Sequence, residues 1–405
     1  MITEIQIENF KSIAKLTLKP GRITVLIGEN GSGKSNILEA IAFAAAASAD
    51  KLDDEFLHNR GIRVTEKEWM TSAFLNQDKT EWDEYGLPIS IKVSGVDSEH
   101  PLEMNITRKK DKRRGDLEEW HVSYTMRAVE FAEKIRIWEL SKKSAELQKM
   151  LDLAFIEEQI RLVNEEIRLL KERQQLQENA AALILQDFLI YAPENTILRR
   201  FEEPGAIKPL GTKGEGLLKH LLTLSEKDDD GTFAAELNEH LNLLGWFDEL
   251  HLPTEVDEMR GRLRIRDRYL TEDHQLFDQR SANEGFLYLL FYFTLMLSEQ
   301  TPRFFAIDNI DSSLNPKLCA ELMRQLAVLA KKHDKQIICT THNPALLDGL
   351  NLTDDDQRLY VVRRNSEGHT VVNRVQLRPP PDGVSQVRLS EAFMSGMLGG
   401  LPEHF

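Results

Sequence analysis

Residues 28–35 read GENGSGKS and match the pattern G-x-x-x-x-G-K-[ST] at every fixed position. Residues 22–27, directly before this stretch, are mostly apolar and β-branched, which predicts a buried strand. Residues 36–43, directly after it, predict a helix. A glycine loop in this position can surround phosphate groups with backbone N–H groups, and the helix N-terminus adds positive potential. The sequence therefore predicts a phosphate-binding loop, or P-loop.

The P-loop gives its polar residues expected roles. Lys34 is expected to reach the β- and γ-phosphates of ATP, and the hydroxyl of Ser35 to hold Mg²⁺. The ATP-binding residues expected in this segment are Asn30, Gly31, Ser32, Gly33, Lys34, Ser35 and Asn36. An ordinary glycine turn is the alternative, and it requires the match and both flanks to arise by chance.

Composition limits the classes of protein that the chain can form. It has 405 residues, which suits one large domain with an insertion, and its formal net charge is −15. A net negative charge does not attract the phosphates of nucleic acid, so contact with nucleic acid would need a local basic patch. The two cysteines, Cys319 and Cys339, favour a reducing compartment and buried positions. We find no apolar run that could span a bilayer and no signal peptide, so we expect a cytoplasmic protein without membrane contact.

Three segments are predicted along the chain. Residues 1–120 form an N-terminal lobe with the P-loop and with alternating, antiparallel strands. Residues 121–192 form a helical arm, because neither Gly nor Pro occurs in residues 116–192. Residues 193–405 form a C-terminal lobe. Apolar residues in the arm follow a coiled-coil spacing, although a helix packed on its own domain is the alternative: Ile156, Ile160, Val163, Ile167 and Leu170.

The C-terminal lobe carries four further motifs in a fixed order. The stretch RSANEG at residues 280–285 opens a strongly apolar helix, and FFAID at residues 304–308 is an apolar strand that ends in an acid. SSLNP follows at residues 312–316, and Thr341 and His342 close the next buried strand. Alternating strands and helices predict a mostly parallel sheet that is covered on both faces.

This order of motifs resembles the ABC-type ATPase heads, particularly the RecF/SMC-like heads and the related AAA family ATPases of OLD, Septu and similar bacterial defence systems. The phrases IQIENFKS at residues 5–12 and IGENGSGKSN at residues 27–36 carry the resemblance, and GMLGGLP at residues 396–402 is similar to the tail of the defence ATPases. The resemblance covers about residues 1–60 and 275–405. It implies an α/β fold: an ABC-type P-loop ATPase head with a mostly parallel sheet, an N-terminal antiparallel β portion and a helical arm insertion.

The resemblance also implies roles for residues of the C-terminal lobe. Asp308 is the Walker B acid, which acts on Mg²⁺ through water, and His342 is the switch histidine that senses the γ-phosphate. Residues 312–315 are the D-loop, with Asn315 in place of the usual acid. The signature motif, which touches the γ-phosphate bound to the other subunit, comprises Ser281, Asn283, Glu284 and Gly285. Ala282 and Asn283 stand where glycines are usual in this motif. Helix caps and a structural histidine are the alternatives.

One departure from the family bears directly on catalysis. The family places a glutamate after the Walker B aspartate, where it polarises the attacking water, but this sequence has Asn309. An amide does not accept a proton at neutral pH, and loss of a general base lowers the rate roughly 10²–10⁴-fold. Asp311 is a substitute base only if the loop is shifted. Whether the chain is an enzyme is therefore left open, and we expect ATP binding with weak or absent hydrolysis.

A dense basic run, RKKDKRR, extends from Arg108 to Arg114 between strand-like segments. It predicts a hairpin tip or loop that could contact nucleic-acid phosphates, with a solvated loop as the alternative. Further arginines are individually weak candidates for the same contact: Arg199, Arg200, Arg264, Arg266 and Arg268.

Three hypotheses about function follow. The first is an ATPase subunit of a bacterial anti-phage defence complex, which forms a head-to-head dimer or higher oligomer around ATP and regulates a separate nuclease or toxin. Because the chain shows no His-Asn-His pattern, a Septu-like pairing with a small HNH-type nuclease is one concrete form. The second is a DNA-repair or chromosome-maintenance ATPase that acts directly on DNA. The third is a scaffold with structural ATP.

Overall fold

The computed structural model describes residues 1–72, 74, 87–96, 101–111, 117–124, 180–201, 209–252, 263–271, 276–376 and 387–401. Within these residues, no helix combines the length and the apolar character needed to cross a membrane.

Fourteen strands and eleven helices build the described part of the chain. The strands are β1 (Ile2–Phe10), β2 (Ile13–Leu18), β3 (Ile23–Ile27), β4 (Ile89–Gly95), β5 (Leu102–Asp111), β6 (Leu117–Tyr124), β7 (Ile190–Tyr191), β8 (Phe247–His251), β9 (Arg264–Asp267), β10 (Leu276–Phe277), β11 (Phe304–Ile307), β12 (Gln336–Thr341), β13 (Gln357–Arg364) and β14 (Thr370–Arg374). The α-helices are α1 (Lys34–Ser48), α2 (Asp54–Asn59), α3 (Lys67–Met70), α4 (Ala180–Gln186), α5 (Asn195–Leu198), α6 (Leu217–Glu226), α7 (Thr232–Leu241), α8 (Glu284–Leu297), α9 (Pro316–Lys332) and α10 (Leu389–Met394), and a 3₁₀ helix spans Pro344–Gly349.

The central sheet has six strands in the order β14-β13-β3-β12-β11-β7. All its neighbouring pairs are parallel except the β13–β14 hairpin. Ile27 at the end of β3 pairs with Thr341 at the end of β12, and Ile307 of β11 pairs with Cys339 of β12. The residues that follow these three strands therefore emerge at one edge of the sheet, where the P-loop, Asp308 and His342 meet.

Side chains of the central strands alternate between two cores, as the pleat of a strand requires. Val25, Phe305 and Cys339 face the core that is built mainly from α8 and α9. Leu26 and Phe304 face the opposite core, which contains α1. Because both faces are covered, these strands are buried throughout and mostly apolar, which is why the sequence identifies them easily.

A second sheet, in the order β2-β1-β4-β5-β6, is antiparallel and packs its apolar face on the α1 core. A third, three-stranded antiparallel sheet has the order β10-β9-β8. The predicted fold class, an ATPase head with a mostly parallel sheet and an N-terminal antiparallel portion, is confirmed. The burial expected for Cys319 and Cys339 is also confirmed.

Two predictions fall wholly or partly outside the described residues. Residues 125–179, which contain the coiled-coil spacing of the expected arm, lie outside, so the arm and the three segment boundaries stay predictions. The basic run is described only as far as Asp111, and this first part does not lie in a loop. It belongs to β5 and pairs with β6, where Arg108 lies opposite Trp120 and Asp111 opposite Leu117.

Candidate nucleotide site

The P-loop connects β3 to α1, and its backbone adopts conformations at two positions that favour glycine. Gly31 and Gly33 have φ values of 77° and 105°, in the region that residues with a side chain disfavour. A Cβ on Gly33 would lie 2.1 Å from Oγ1 of Thr370, so this position also lacks space. No side chain caps the start of α1, which leaves its first N–H groups directed at the loop, where an anion would bind.

Lys34 is the buried cation of this loop. Its Nζ donates hydrogen bonds of 2.9 Å to the backbone oxygens of Gly28 and Glu29. Burial lowers the pKa of Lys34 to about 8, although Asp308, Glu29 and Asp311 oppose this shift. A phosphate group in the loop would supply the negative charge that favours the protonated amine.

Ser35 and Asp308 form the part of the site that suits a magnesium ion. Oγ of Ser35 donates to Oδ2 of Asp308 over 3.1 Å, and the hydroxyl of Thr340 donates a short hydrogen bond to Oδ1 of Asp308. One hydroxyl and one carboxylate match Mg²⁺, which takes few protein ligands and completes its shell with water and phosphate. No cluster of three or more His, Cys, Asp or Glu residues that could hold a metal occurs in the described residues, so an all-protein metal cage is not seen there.

The predicted catalytic residues lie at the same edge of the sheet. Asn309 is exposed, has a φ of 54°, and its N–H donates to the hydroxyl of Thr340 over 2.8 Å. Oδ1 of Asp311 accepts a hydrogen bond of 2.7 Å from the hydroxyl of Thr341, one residue before His342. Desolvation and the charge of Lys34 lower the pKa of His342, whereas the carboxylates of Asp311 and Asp308 oppose the shift. The charges of Lys34, Asp308 and Asp311 therefore all act on the imidazole of His342.

The signature residues lie elsewhere on the same chain. Asn283 caps α8, since its Oδ1 accepts from the N–H of Phe286 over 2.8 Å. Glu284 accepts hydrogen bonds from Nδ2 of Asn195 (2.7 Å) and from Oγ of Ser313 in the D-loop (2.8 Å). Within the described part of the chain, no hydrogen bond joins residues 281–285 to residues 28–36.

Asn315 has a local role that the sequence analysis did not identify. Its Oδ1 accepts from the N–H of Leu318 over 3.0 Å and caps α9, which begins with Pro316. The D-loop is thus held between this cap and Glu284.

A network around the first turn of α1 was missed by the sequence analysis. The carboxylate of Glu39, only 2% exposed, accepts from Nζ of Lys11 and from Nε of Arg63, both over 2.6 Å. The guanidinium of Arg63 also donates to Oδ1 of Asn36 over 3.2 Å and stays largely exposed beside the P-loop helix. Lys11 lies in the IQIENFKS phrase, so the sequence offered a signal for its position near the P-loop. No motif or spacing in the sequence indicates that Arg63 joins this network.

A second brace was missed on the other side of the loop. Oγ1 of Thr370 donates to the backbone oxygen of Ser32 over 3.0 Å and bonds to Oγ of Ser12 over 2.7 Å. Nε of Arg364 donates to the oxygen of Gly31 over 3.0 Å. The β13–β14 hairpin thus fixes the backbone of the P-loop, a contact across more than 330 positions that no local pattern announces.

Several arginines considered for nucleic acid are already bonded within the protein. Arg199 donates to the backbone oxygens of Gln279 (2.7 Å), Arg280 (2.8 Å) and Ala282 (2.8 Å), so it clamps the approach to the signature helix. Arg266 lies 3.1 Å from a carboxylate oxygen of Glu249. The nucleic-acid role of Arg108, which is 3.7 Å from Glu118, stays a prediction.

This edge of the sheet, with its glycine loop, Asp308 and His342, has the arrangement of a P-loop nucleotide-binding fold. Residues 23–348 match the family described as "AAA domain, putative AbiEii toxin, Type IV TA system", and because the match spans most of the chain, the protein belongs to this family. The fold is that of an SMC-type ATPase head, as the resemblance implied.

Similarity to curated proteins is partial. The DNA replication and repair protein RecF of Bacillus cereus (strain G9842) is 29% identical over 136 residues, which are 32% of this chain and 31% of RecF. RecF of Bacillus thuringiensis (strain Al Hakam) matches to the same extent. The match thus spans about a third of the length of these relatives.

Similarity to solved structures covers nearly the whole chain but concerns the fold alone. An Smc head bound to the C-winged helix domain of ScpA has a TM-score of 0.54 at 14% identity, with 93% of this chain and 98% of that chain covered. An Smc head from Pyrococcus furiosus with an extended coiled coil, bound to the C-terminal domain of ScpA, has a TM-score of 0.50 at 12% identity, with 93% and 96% covered.

Proposed function

We propose that the chain binds ATP with Mg²⁺ at the P-loop and hydrolyses it weakly or not at all. Lys34, Ser35 and Asp308 carry this proposal, because a buried amine, a hydroxyl and a carboxylate converge at the N-terminus of α1. Lys34 would bind the β- and γ-phosphates, while Ser35 and Asp308 would hold the ion, Asp308 through water. Asn309 follows Asp308 where a general base is expected, which supports slow turnover.

Calorimetry with ATP and Mg²⁺ tests the nucleotide site. Lys34→Ala is expected to lower ATP affinity at least tenfold, since it removes the cation of the loop. Lys335→Ala is unsuitable as a control, because Lys335 is itself buried. Lys331→Ala is the matched control, as Lys331 is exposed in the last turn of α9 and should leave affinity unchanged. Equal affinity of wild type and Lys34→Ala would rule out the proposed site.

We further propose a head-to-head dimer in which each P-loop is completed by the signature motif of the second copy. The support is that residues 281–285 bond to their own D-loop through Glu284 and Ser313, whereas no hydrogen bond among the described residues joins them to the P-loop of the same chain. Sedimentation of wild type and Ser281→Arg, with and without ATP, tests this, because Ser281 is exposed and an arginine there would obstruct the second copy. A monomer under every condition would contradict the dimer.

The biological proposal is a subunit of a bacterial anti-phage defence complex, whose ATP-dependent assembly regulates a separate nuclease or toxin. The family description, with its reference to a toxin–antitoxin system, supports this setting. Co-expression with the protein encoded by the neighbouring gene, followed by phage challenge, is the test. Protection should require both proteins and should be lost with Lys34→Ala, and protection by either protein alone would contradict the proposal.

A second candidate, a DNA-repair ATPase that acts directly on DNA, is favoured by the RecF match. It predicts tight binding to DNA by the chain alone, weakened by salt and by replacement of Arg108 and Arg114 with alanine. Gel-shift measurements at two salt concentrations distinguish it from the first proposal, which needs no such binding. A scaffold with structural ATP is distinguished by assembly that does not respond to nucleotide.

A further inference from the structure

The C-terminal segment, residues 389–401, returns to the nucleotide site from the far end of the chain. Its helix α10 buries Leu389 and Phe393 in the α8–α9 core. Ser390 is bonded twice to Asp348, from its N–H (3.0 Å) and from its hydroxyl (2.7 Å). Asp348 belongs to the 3₁₀ helix that begins two residues after His342, so the segment is attached to the element behind the switch histidine.

The glycines that follow α10 bring the backbone against the P-loop. Gly396, Gly399 and Gly400 have φ values of 78°, 73° and 82°. A Cβ on Gly400 would lie 2.4 Å from Cγ1 of Val361 and 3.8 Å from Cα of Gly28, the first P-loop residue. Val361 pairs with Ile27, directly before the P-loop. Gly400 thus lies on the junction between β3 and the loop.

Gly28 lies close against β13. A Cβ on Gly28 would lie 2.0 Å from the backbone oxygen of Val362, so the position between β13 and Gly400 has no space for a side chain. Its own oxygen accepts a hydrogen bond from Nζ of Lys34, the amine proposed to bind phosphate. A change at Lys34 on nucleotide binding therefore acts on the backbone of Gly28, which lies beside Gly400.

From this contact we infer that residues 396–401, the C-terminal glycine turn, sense the occupancy of the nucleotide site. The inference rests on the proposed ATP binding. On nucleotide binding, Lys34 moves from the oxygens of Gly28 and Glu29 to phosphate, and the nucleotide then holds the P-loop backbone. The glycine turn therefore packs on a P-loop that is more rigid than in the free protein. Because coupling between two sites is reciprocal, a disturbed glycine turn must weaken ATP binding by the same factor by which ATP stabilises the glycine turn.

Two neighbouring glycines provide a matched pair of variants. Gly399→Ala and Gly400→Ala impose a similar backbone penalty, since both residues have positive φ. Only Gly400→Ala places a methyl group against Val361, because among the described residues no atom beyond the chain neighbours lies within 4 Å of a Cβ on Gly399. Comparing the two variants separates the contact with the P-loop junction from strain within the glycine turn.

The experiment measures ATP affinity by calorimetry and amide hydrogen exchange of residues 396–401 in the full chain. Gly400→Ala should bind ATP about tenfold more weakly than Gly399→Ala, within the usual range of coupling between sites. ATP should slow exchange in the wild-type glycine turn and have little effect there in Gly400→Ala. Equal affinity of the two variants, or wild-type exchange that ATP leaves unchanged, would overturn the inference.

A truncation guards against misfolding of Gly400→Ala. Ending the chain after Leu398 removes the glycine contact but keeps α10 and the buried Leu389 and Phe393. This variant should also bind ATP more weakly, and unaltered affinity would again overturn the inference. Failure of wild type itself to bind ATP would instead disprove the proposed function, so the two failures are distinguishable.

Discussion

Oγ of Ser35 and Oδ2 of Asp308 lie 3.1 Å apart, although 273 positions separate them in the chain. Two parallel strands, β3 and β11, flank β12 and deliver both groups to the same edge of the central sheet. Thr340, on the strand between them, bonds to the same carboxylate. The proposed magnesium site is therefore a product of strand order, and Thr340 is its supporting residue.

Thr340→Val tests this supporting role. It removes the hydroxyl that orients Asp308, and loss of such a support typically weakens metal binding about 10–100-fold. We expect the Mg²⁺ concentration needed for half-maximal ATP binding to rise within that range. Thr294→Val is the control, because Thr294 is equally buried but bonds to the oxygen of Leu290 within α8. An identical Mg²⁺ requirement in both variants would show that Thr340 does not support the ion site.

Gly33→Ala tests the brace between the P-loop and the β13–β14 hairpin. Its methyl group would overlap Oγ1 of Thr370, which also bonds to the oxygen of Ser32. We expect at least a tenfold loss of ATP affinity, since the loop must shift away from its phosphate-binding geometry. Gly31→Ala meets similar backbone strain but open space, so it should lose less.

A double variant separates the overlap from strain. Thr370→Ala removes the hydroxyl and methyl that obstruct the new side chain at position 33, so combining it with Gly33→Ala should recover part of the affinity. No recovery would mean that backbone strain, and not the contact with Thr370, causes the loss.

His220 predicts how stability depends on pH. It is 4% exposed, Nε2 lies 2.9 Å from Oγ of Ser298, and burial, with smaller effects from Lys227 and Lys335, lowers its pKa from 6.5 to about 4. Between these values the unfolded chain binds a proton that the folded chain does not, so stability falls as the pH falls through 6.5 towards 4. At pH 5 the loss from this group is about 2 kcal/mol.

Urea unfolding of wild type and His220→Gln at pH 7 and pH 5 measures this effect. The glutamine keeps a polar group near Ser298 but does not titrate, so the difference in unfolding free energy between the two proteins should shift by that amount. A difference that does not change with pH would show that His220 is protonated in the folded protein.

The sequence predicted the head fold because its decisive elements are local. A buried strand, a glycine loop and a helix are adjacent in the chain, and the apolar strand predicted at residues 304–308 agrees with β11, Phe304–Ile307, followed by Asp308. Contacts between distant segments carry little local signal. Thr370, Arg364 and Gly400 reach the P-loop from beyond position 360, and neither their residue types nor their spacing indicates that loop. The start of the basic run, from Arg108 to Asp111, lies in β5 and not in the predicted hairpin tip or loop, since cross-strand partners in β6 set the extent of β5.

The position after the Walker B acid decides whether the proposed site can turn over ATP. Asn309 is exposed with a φ of 54°, while Oδ2 of Asp311 accepts no hydrogen bond within the described residues. If Asn309 occupies the base position, Asn309→Glu should raise phosphate release at least tenfold, because a carboxylate can accept the proton of the attacking water and the amide cannot. Asn309→Gln is the control, since it has the length of glutamate and similar backbone strain without the charge.

Steady-state phosphate release is measured for wild type, both Asn309 variants and Asp311→Asn, with thermal unfolding to confirm the fold. Rapid hydrolysis by wild type that Asp311→Asn abolishes would identify Asp311 as the working base and show that the proposed role of Asn309 is wrong.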